Sequence, residues 1–254
     1  MKRLQDKVAL ITGGGGGIGG AIAVAYAKEK AHVCICDLNE KGLDDVLENV
    51  KKEGVKGKKF VVDVSDSGAV DQMVKDIVSE FGSVDILVNT AGTFHVKSIT
   101  DIEDESWDRT IKVHLYGTFY CTRAVLRESM LQKNTGRIIN IASLSPYTGG
   151  PPRTGVAEYS AAKGGIVGFN KAVAKEVAYT DINVNAIAPG YINTPMTSNL
   201  YSDGPIKEAL ETWKIAKGRV GTPDDLVGTA IFLAGDDSTY MTGQVLFVDG
   251  GSIG

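Results

Sequence analysis

Thr12-Gly13-Gly14-Gly15-Gly16-Gly17-Ile18-Gly19 follows directly on the apolar run Val8-Ala9-Leu10-Ile11 and leads almost at once into Ala21-Ile22-Ala23-Val24-Ala25-Tyr26-Ala27. A β-branched run that ends in glycines and continues as a helix brings bare backbone amides to one point. The helix N-terminus favours negative charge there, so the segment reads as a phosphate cradle. A flexible glycine loop has the same composition, and the segment alone does not separate the two. Its setting does. It lies within the first 20 residues, between a strand pattern and a helix pattern, and a second strand follows that ends in an acid, Asp37.

Working outward, further apolar runs stand at residues 33–36, 59–62, 86–88, 137–141, 183–187 and 244–248, separated mostly by helical periodicity. Strands this apolar are covered on both faces. Their alternation with helices implies right-handed crossovers, so the expected fold is α/β, a doubly wound parallel sheet of about seven strands. No linker, charge block or repeat interrupts the pattern, and residues 1–254 are expected to form a single domain. Ligands of such sheets bind beyond the C-terminal ends of the strands. At those ends stand the glycines, Asp37-Leu38, Asp63-Val64, Asn89-Thr90-Ala91-Gly92, Ala142-Ser143 and Pro189-Gly190. Each has a plain reading as a cap or a turn. Their joint position on one edge favours a site.

The net charge of -4, with lysines scattered along the chain, offers no basic field, so nucleic acid is not an expected partner. No apolar stretch approaches the roughly 20 residues that span a bilayer, and residues 1–6 lead straight into a strand; a soluble, cytoplasmic protein is expected, with no membrane partner. Of three cysteines, Cys34 and Cys36 share one strand face beside His32. No second ligand pair follows, so reduced core thiols are expected and no metal.

The motifs Thr12-Gly13-x-x-x-Gly17-Ile18-Gly19, Asp63-Val64, Asn89-x-Ala91-Gly92, Ser143, Tyr159-x-x-x-Lys163, Pro189-Gly190-x-Ile192-x-Thr194, Thr242-Gly243-Gln244 and Asp249-Gly250-Gly251 occur in this order. In these the chain resembles the short-chain dehydrogenase/reductases, from Lys7 to Gly251. The resemblance implies nicotinamide-dependent oxidation of an alcohol or reduction of a ketone, on a Rossmann-like sheet, usually in homotetramers. It implies that Ser143 hydrogen-bonds the substrate oxygen, that Tyr159 exchanges the proton, and that Lys163 holds the nicotinamide ribose. Gly13, Gly16, Gly17, Ile18 and Gly19, with Asn89, Ala91 and Gly92, would lie along the cofactor. Asp63 and Val64 would meet the adenine, and Pro189, Gly190, Ile192 and Thr194 the nicotinamide end. Within the glycine run, Gly13, Gly17 and Gly19 are the positions expected to matter, with residues 14–16 as spacer.

Two of these implications have a physical warrant of their own. Tyr159 and Lys163 are four residues apart, on one face of a helix. Bringing a tyrosine from a pKa of about 10 to about 7 takes about 4 kcal/mol. A charge at about 4 Å in an effective dielectric of about 20 supplies that amount. Asp37 at the end of the second strand accepts hydrogen bonds from both adenosine ribose hydroxyls and repels a 2′-phosphate, so NAD is expected over NADP. Gly16, before Gly17, leaves no basic side chain for that phosphate.

The chain also departs from the family pattern. Where relatives carry an asparagine, Val113-His114-Leu115-Tyr116-Gly117 has His114. Two readings stay open: an imidazole that keeps a catalytic proton relay to the lysine, or a buried, satisfied histidine. The loop between Ser143 and Tyr159 is longer than usual and contains Ser145, which competes for the catalytic role; Ser143 lies nearer the strand end, where position is better fixed. Thr90 replaces a second asparagine. Residues 196–218 are expected to form a substrate lid, and His95, Tyr147, Arg153, Tyr191 and Trp213 to line the substrate pocket, with Arg153 either meeting an anionic group or simply solvated. The leading expectation is an NAD-dependent dehydrogenase of a polyol, a hydroxy acid or its thioester, or a cyclic alcohol. The alternatives are a 3-oxoacyl thioester reductase and, from another class, a non-catalytic NAD-binding scaffold subunit.

Overall fold

The computed structural model describes residues 2–150, 155–198 and 215–253. Strands and helices alternate as β1 (Val8–Thr12), α1 (Gly17–Lys28), β2 (His32–Asp37), α2 (Glu40–Lys52), β3 (Gly57–Val61), α3 (Ser67–Phe81) and β4 (Ile86–Asn89). Then α4 (Asp104–Ile111) passes through a π-helical turn at Lys112–Tyr116 into α5 (Gly117–Val125), and a second π turn at Leu126–Met130 leads into the short α6 (Leu131–Lys133). There follow β5 (Thr135–Ile141), α7 (Ser145–Thr148), α8 (Ala157–Glu176), β6 (Asp181–Pro189), α9 (Asp224–Ala234) and β7 (Val245–Val248). All seven apolar runs are strands. Their bounds differ from the sequence reading by one or two residues: the strand at the 59–62 run is Gly57–Val61, so Val62 falls just beyond it.

The strands form one parallel sheet in the order β3-β2-β1-β4-β5-β6-β7. Because successive strand residues point to opposite faces, the apolar runs split cleanly. Ala9, Ile11, Val33, Ile35, Ile86 and Val88 join one core with α1 and α9. Val8, Leu10, Cys34, Cys36 and Leu87 join the other with α3 and α5. Cys34, Cys36 and Cys121 are free buried thiols, and desolvation raises all three, Cys34 and Cys121 to about 12. On the first face Tyr26 is fully buried, and its hydroxyl donates to the Ala230 carbonyl at 2.9 Å, tying α1 to α9.

The chain leaves β1 toward β2 on one side and returns to β4 on the other. The crevice at that reversal is where a doubly wound sheet binds ligands. Helix caps make the same point. Asp66 caps α3 through Gly68 and Ala69, and Asn39 caps α2 through Gly42. The N-cap of α1 is Gly16, with no side-chain cap, so its first amides stay open toward the crevice. No helix of the described residues is long and apolar enough to cross a membrane.

Candidate active site

A cavity of about 450 Å³ opens at the C-terminal ends of β1, β2, β4, β5 and β6. One wall is the glycine turn. Gly13 is left-handed (φ 62) and packs against the backbone of Ala91, where a Cβ would approach to 2.9 Å. A Cβ on Gly19 would run into the Gly13 carbonyl. At Gly16 the space is open, and a Gly17 Cβ would meet only ordinary contacts, Thr194 at 3.7 Å and Pro195 at 4.0 Å. Gly14 and Gly15 are not mere spacer, as the sequence reading has residues 14–16, while Gly16 stays open. A Cβ on Gly14 would come within 2.7 Å of Ile35, and one on Gly15 within 3.0 Å of the Asp37 carboxylate. Thr12 fastens the turn to its neighbour, its hydroxyl accepting from the amides of Thr90 and Ala91 at 3.0 and 3.1 Å.

Asp37 is held at the end of β2 by two backbone amides, Gly15 to Oδ2 and Asn39 to Oδ1, both at 3.0 Å. It lines the cavity beside the exposed Leu38. Asp63 lines it too, its carboxylate fixed by the Ser65 amide and hydroxyl at 2.9 and 2.7 Å. Val64 packs where Gly117 leaves room for it. Ala91, Gly92, Pro189, Gly190, Tyr191, Ile192 and Thr194 all reach the cavity wall.

Three expected residues do not. Asn89 turns into the core, where its amide donates to Asn140 at 2.9 Å and Thr122 at 3.2 Å; burying an amide demands such partners, and they hold it off the wall. His95 is exposed and lies outside the lining. Tyr147 also stays outside, half-exposed and edge-on to Phe247 at 4.8 Å. Arg153 and Trp213 lie outside the described residues, as does most of the expected lid, of which 196–198 and 215–218 are described.

Ser143 follows β5, and its Oγ accepts from the Ser145 amide at 3.0 Å, which leaves its own proton for a ligand. Ser145 Oγ is paired with Ser160 Oγ. That pairing removes Ser145 as a competitor.

Tyr159 and Lys163 lie one turn apart on α8, as their spacing predicts. The Tyr159 ring is clamped edge-to-face on two sides, by Phe94 at 4.9 Å and by His114 at 5.4 Å. The Lys163 ammonium sits 5.6 Å from the ring centre and donates to the Ile141 carbonyl at 2.7 Å. Burial pulls this lysine down to about 7. The charge is whole only below pH 7.

His114 sits in the π-helical turn, where such bulges accompany functional sites. Its Nε2 lies 3.0 Å from the Thr93 amide and 2.7 Å from the Thr93 carbonyl, and Gly92 has no Cβ because the ring occupies that space. Its own carbonyl accepts from Thr118 at 2.7 Å. Burial first, and the Lys163 charge second, lower the imidazole to about 3. A group so low is neutral at pH 7. Among the described residues, His114 Nδ1, Thr90 Oγ1 and Thr93 Oγ1 are buried without a hydrogen-bond partner on this same wall.

Phe94, Leu144 and Val156, which the sequence reading does not place in the pocket, add apolar lining, as does Met196, the first residue of the expected lid. Apolar loop residues carry no periodic signal. No group of three or more metal-ligating side chains occurs among the described residues. A dinucleotide fits what is present: a Cβ-free cradle at Gly16 and Gly17, uncapped helix amides, a tethered carboxylate at Asp37, and orphaned polar atoms along the wall.

The chain is similar to known proteins along nearly its whole length. A family model described as enoyl-(acyl carrier protein) reductase matches residues 14–252. The 3-oxoacyl-acyl-carrier-protein reductase FabG of Thermotoga maritima is 38% identical over 255 residues, 99% of either chain. The hydroxy(phenyl)methylsuccinyl-CoA dehydrogenase subunit BbsD of Thauera aromatica is 40% identical over 251 residues, 98% of this chain and 97% of its own. Among solved structures, an NAD-bound xylitol dehydrogenase is similar at a TM-score of 0.89 and 31% identity, covering 98% of this chain and 100% of that one. An actinorhodin polyketide ketoreductase with NADPH is similar at 0.88 and 36%, covering 97% of each. With its seven-stranded parallel sheet, its glycine cradle and these relatives along nearly its whole length, the chain belongs to the short-chain dehydrogenase/reductase family of oxidoreductases.

Proposed function

We propose that this protein interconverts a secondary alcohol and a ketone with NAD, using Ser143, Tyr159 and Lys163. The observation that carries the reading is the Tyr159 ring, clamped between Phe94 and His114 with a buried lysine ammonium against it, beside a serine whose proton is uncommitted. When bound, the nicotinamide supplies the hydride acceptor or donor.

Everything else falls to the chain. Ser143 donates to the substrate oxygen and steadies the partial negative charge that forms there. Tyr159 takes the alcohol proton in oxidation and returns it in reduction. The Lys163 ammonium, 5.6 Å from the ring centre, stabilises a Tyr159 phenolate to the extent that the lysine is protonated, which its lowering to about 7 limits to about neutral pH and below. Gly13, Gly16, Gly17, Ile18 and Gly19 would cradle the pyrophosphate, and Asp37 the adenosine ribose, which is the argument for NAD over NADP. Asp63 and Val64 would flank the adenine, and Ile192 and Thr194 would hold the carboxamide.

The apolar lining by Phe94, Leu144, Val156 and Met196 favours a substrate with an apolar substituent over a polyol. A second reading, reduction of a 3-oxoacyl thioester, has the name of the Thermotoga relative in its favour. The test is a panel of secondary alcohols and 3-oxoacyl thioesters followed by NADH absorbance, with Tyr159→Phe as control. Turnover that the variant lowers at least a hundredfold, within the range for a lost acid–base group, supports the enzyme. Calorimetric NADH binding with no turnover of any panel member favours the scaffold subunit instead.

A further inference from the structure

Thr194, read above as the seat of the carboxamide, is itself held by Thr197. The Thr197 Oγ1 lies 3.1 Å from the Thr194 amide, 3.0 Å from Thr194 Oγ1, 2.7 Å from the Ile192 carbonyl and 3.5 Å from the Thr194 carbonyl. A hydroxyl has one proton and two lone pairs. The proton goes to Ile192, the shortest contact, while 3.5 Å is beyond a useful hydrogen bond. One lone pair accepts from the Thr194 amide. The remaining lone pair takes the proton of the Thr194 hydroxyl.

The consequence falls on Thr194. Its proton points back to Thr197, so its Oγ1 meets a ligand with lone pairs only. Both side chains line the same cavity, and Thr194 stands beside the open face of Gly17. We propose that Thr197 is a positioning residue that sets the Thr194 hydroxyl as a hydrogen-bond acceptor, so that the site selects a pyridine ring substituent bearing an N–H. The inference rests on the carboxamide reading of Thr194.

Calorimetric titration with NAD and with 3-acetylpyridine adenine dinucleotide tests it. In the analogue a methyl replaces the amide nitrogen, and the adenosine end is identical, so the ratio of the two Kd values isolates the ring substituent. Wild-type protein should bind NAD about fivefold or more tightly than the analogue, the worth of one hydrogen bond of about 1 kcal/mol. In Thr197→Val the Thr194 hydroxyl is free to turn and donate to either carbonyl, so the ratio should fall to about one. Thr197→Ser keeps a hydroxyl in place and should restore it.

Equal binding of the two dinucleotides by wild-type protein overturns the proposal without any variant. An unchanged ratio in a folded Thr197→Val, or in Thr197→Ala should the valine not fold, also overturns it. Thr194→Val separates the two levels. If it too keeps the wild-type ratio, the carboxamide does not rest on Thr194 and both readings fall. If it abolishes the ratio while Thr197→Val preserves it, only the role of Thr197 falls.

Discussion

Acidification below neutral pH should expose the cost of burying His114. The imidazole is 2% exposed, and burial together with the Lys163 charge lowers it to about 3, against a smaller opposing effect of the Thr93 backbone. In the unfolded chain a histidine titrates near 6.5. Between those values the unfolded state binds a proton that the folded state refuses. Stability from this group is therefore whole above about pH 6.5 and falls as the pH drops toward 3. At 1.36 kcal/mol per pH unit, moving from pH 6.5 to 5 removes about 2 kcal/mol, a large share of the roughly 5–15 kcal/mol that holds a folded domain together. His114→Asn lacks the titrating group. Urea unfolding of both proteins at pH 7 and pH 5 should show wild type losing about 2 kcal/mol more than the variant. With three histidines in the chain, the imidazole signals are also few enough to follow by NMR, and that of His114 should stay neutral down to about pH 4. Equal pH slopes in the two proteins, or a His114 signal that titrates near pH 6.5, would refute the burial argument. Either result would restore the imidazole as a proton carrier at neutral pH.

Asp37→Ser should lower kcat/KM for NAD by about 10–100-fold, the worth of a charge-assisted ribose hydrogen bond, and raise it for NADP; steady-state kinetics with both dinucleotides decide, and an unchanged preference removes Asp37 as the selector. Lys163→Met should abolish turnover yet stabilise the fold at pH 7, because the folded lysine, lowered to about 7, binds fewer protons than the unfolded one up to about pH 10.5. Wild-type stability should therefore gain from this residue as the pH rises from 7 to 10, a slope that thermal or urea unfolding of the variant should lack. Gly19→Ala drives a Cβ into the Gly13 carbonyl and should cost about 1–3 kcal/mol of stability together with dinucleotide binding. A variant that melts and titrates like wild type would show that the turn relaxes freely.

Much of the molecule is legible in the sequence because its signals are local. Continuous apolar runs report strands covered on both sides, and the residues after each run mark one edge of the sheet, whatever the helices between them do in detail. Tyr159 and Lys163 needed only helical spacing to be set side by side. Asp37 needed only its place at a strand end.

What lies across the fold was not legible. Asn89 stands at a strand end like Asp37, yet its amide is claimed by Asn140 and Thr122 from other elements, and no local pattern announces that. Ser145 drops out as a rival of Ser143 only because Ser160 on α8 pairs with it. Gly14 and Gly15 look like filler until Ile35 and Asp37 close around them. The sequence by itself determined the order of strands and helices, the cradle, and the residues at the sheet's edge, since these depend on the period of the chain and on neighbours a few residues away. Only the tertiary structure decided which polar groups stay free for a ligand and which charges survive. Hydrogen-bond partners and desolvation are set by packing between distant segments, as when burial alone takes Lys163 to about 7 and keeps His114 neutral.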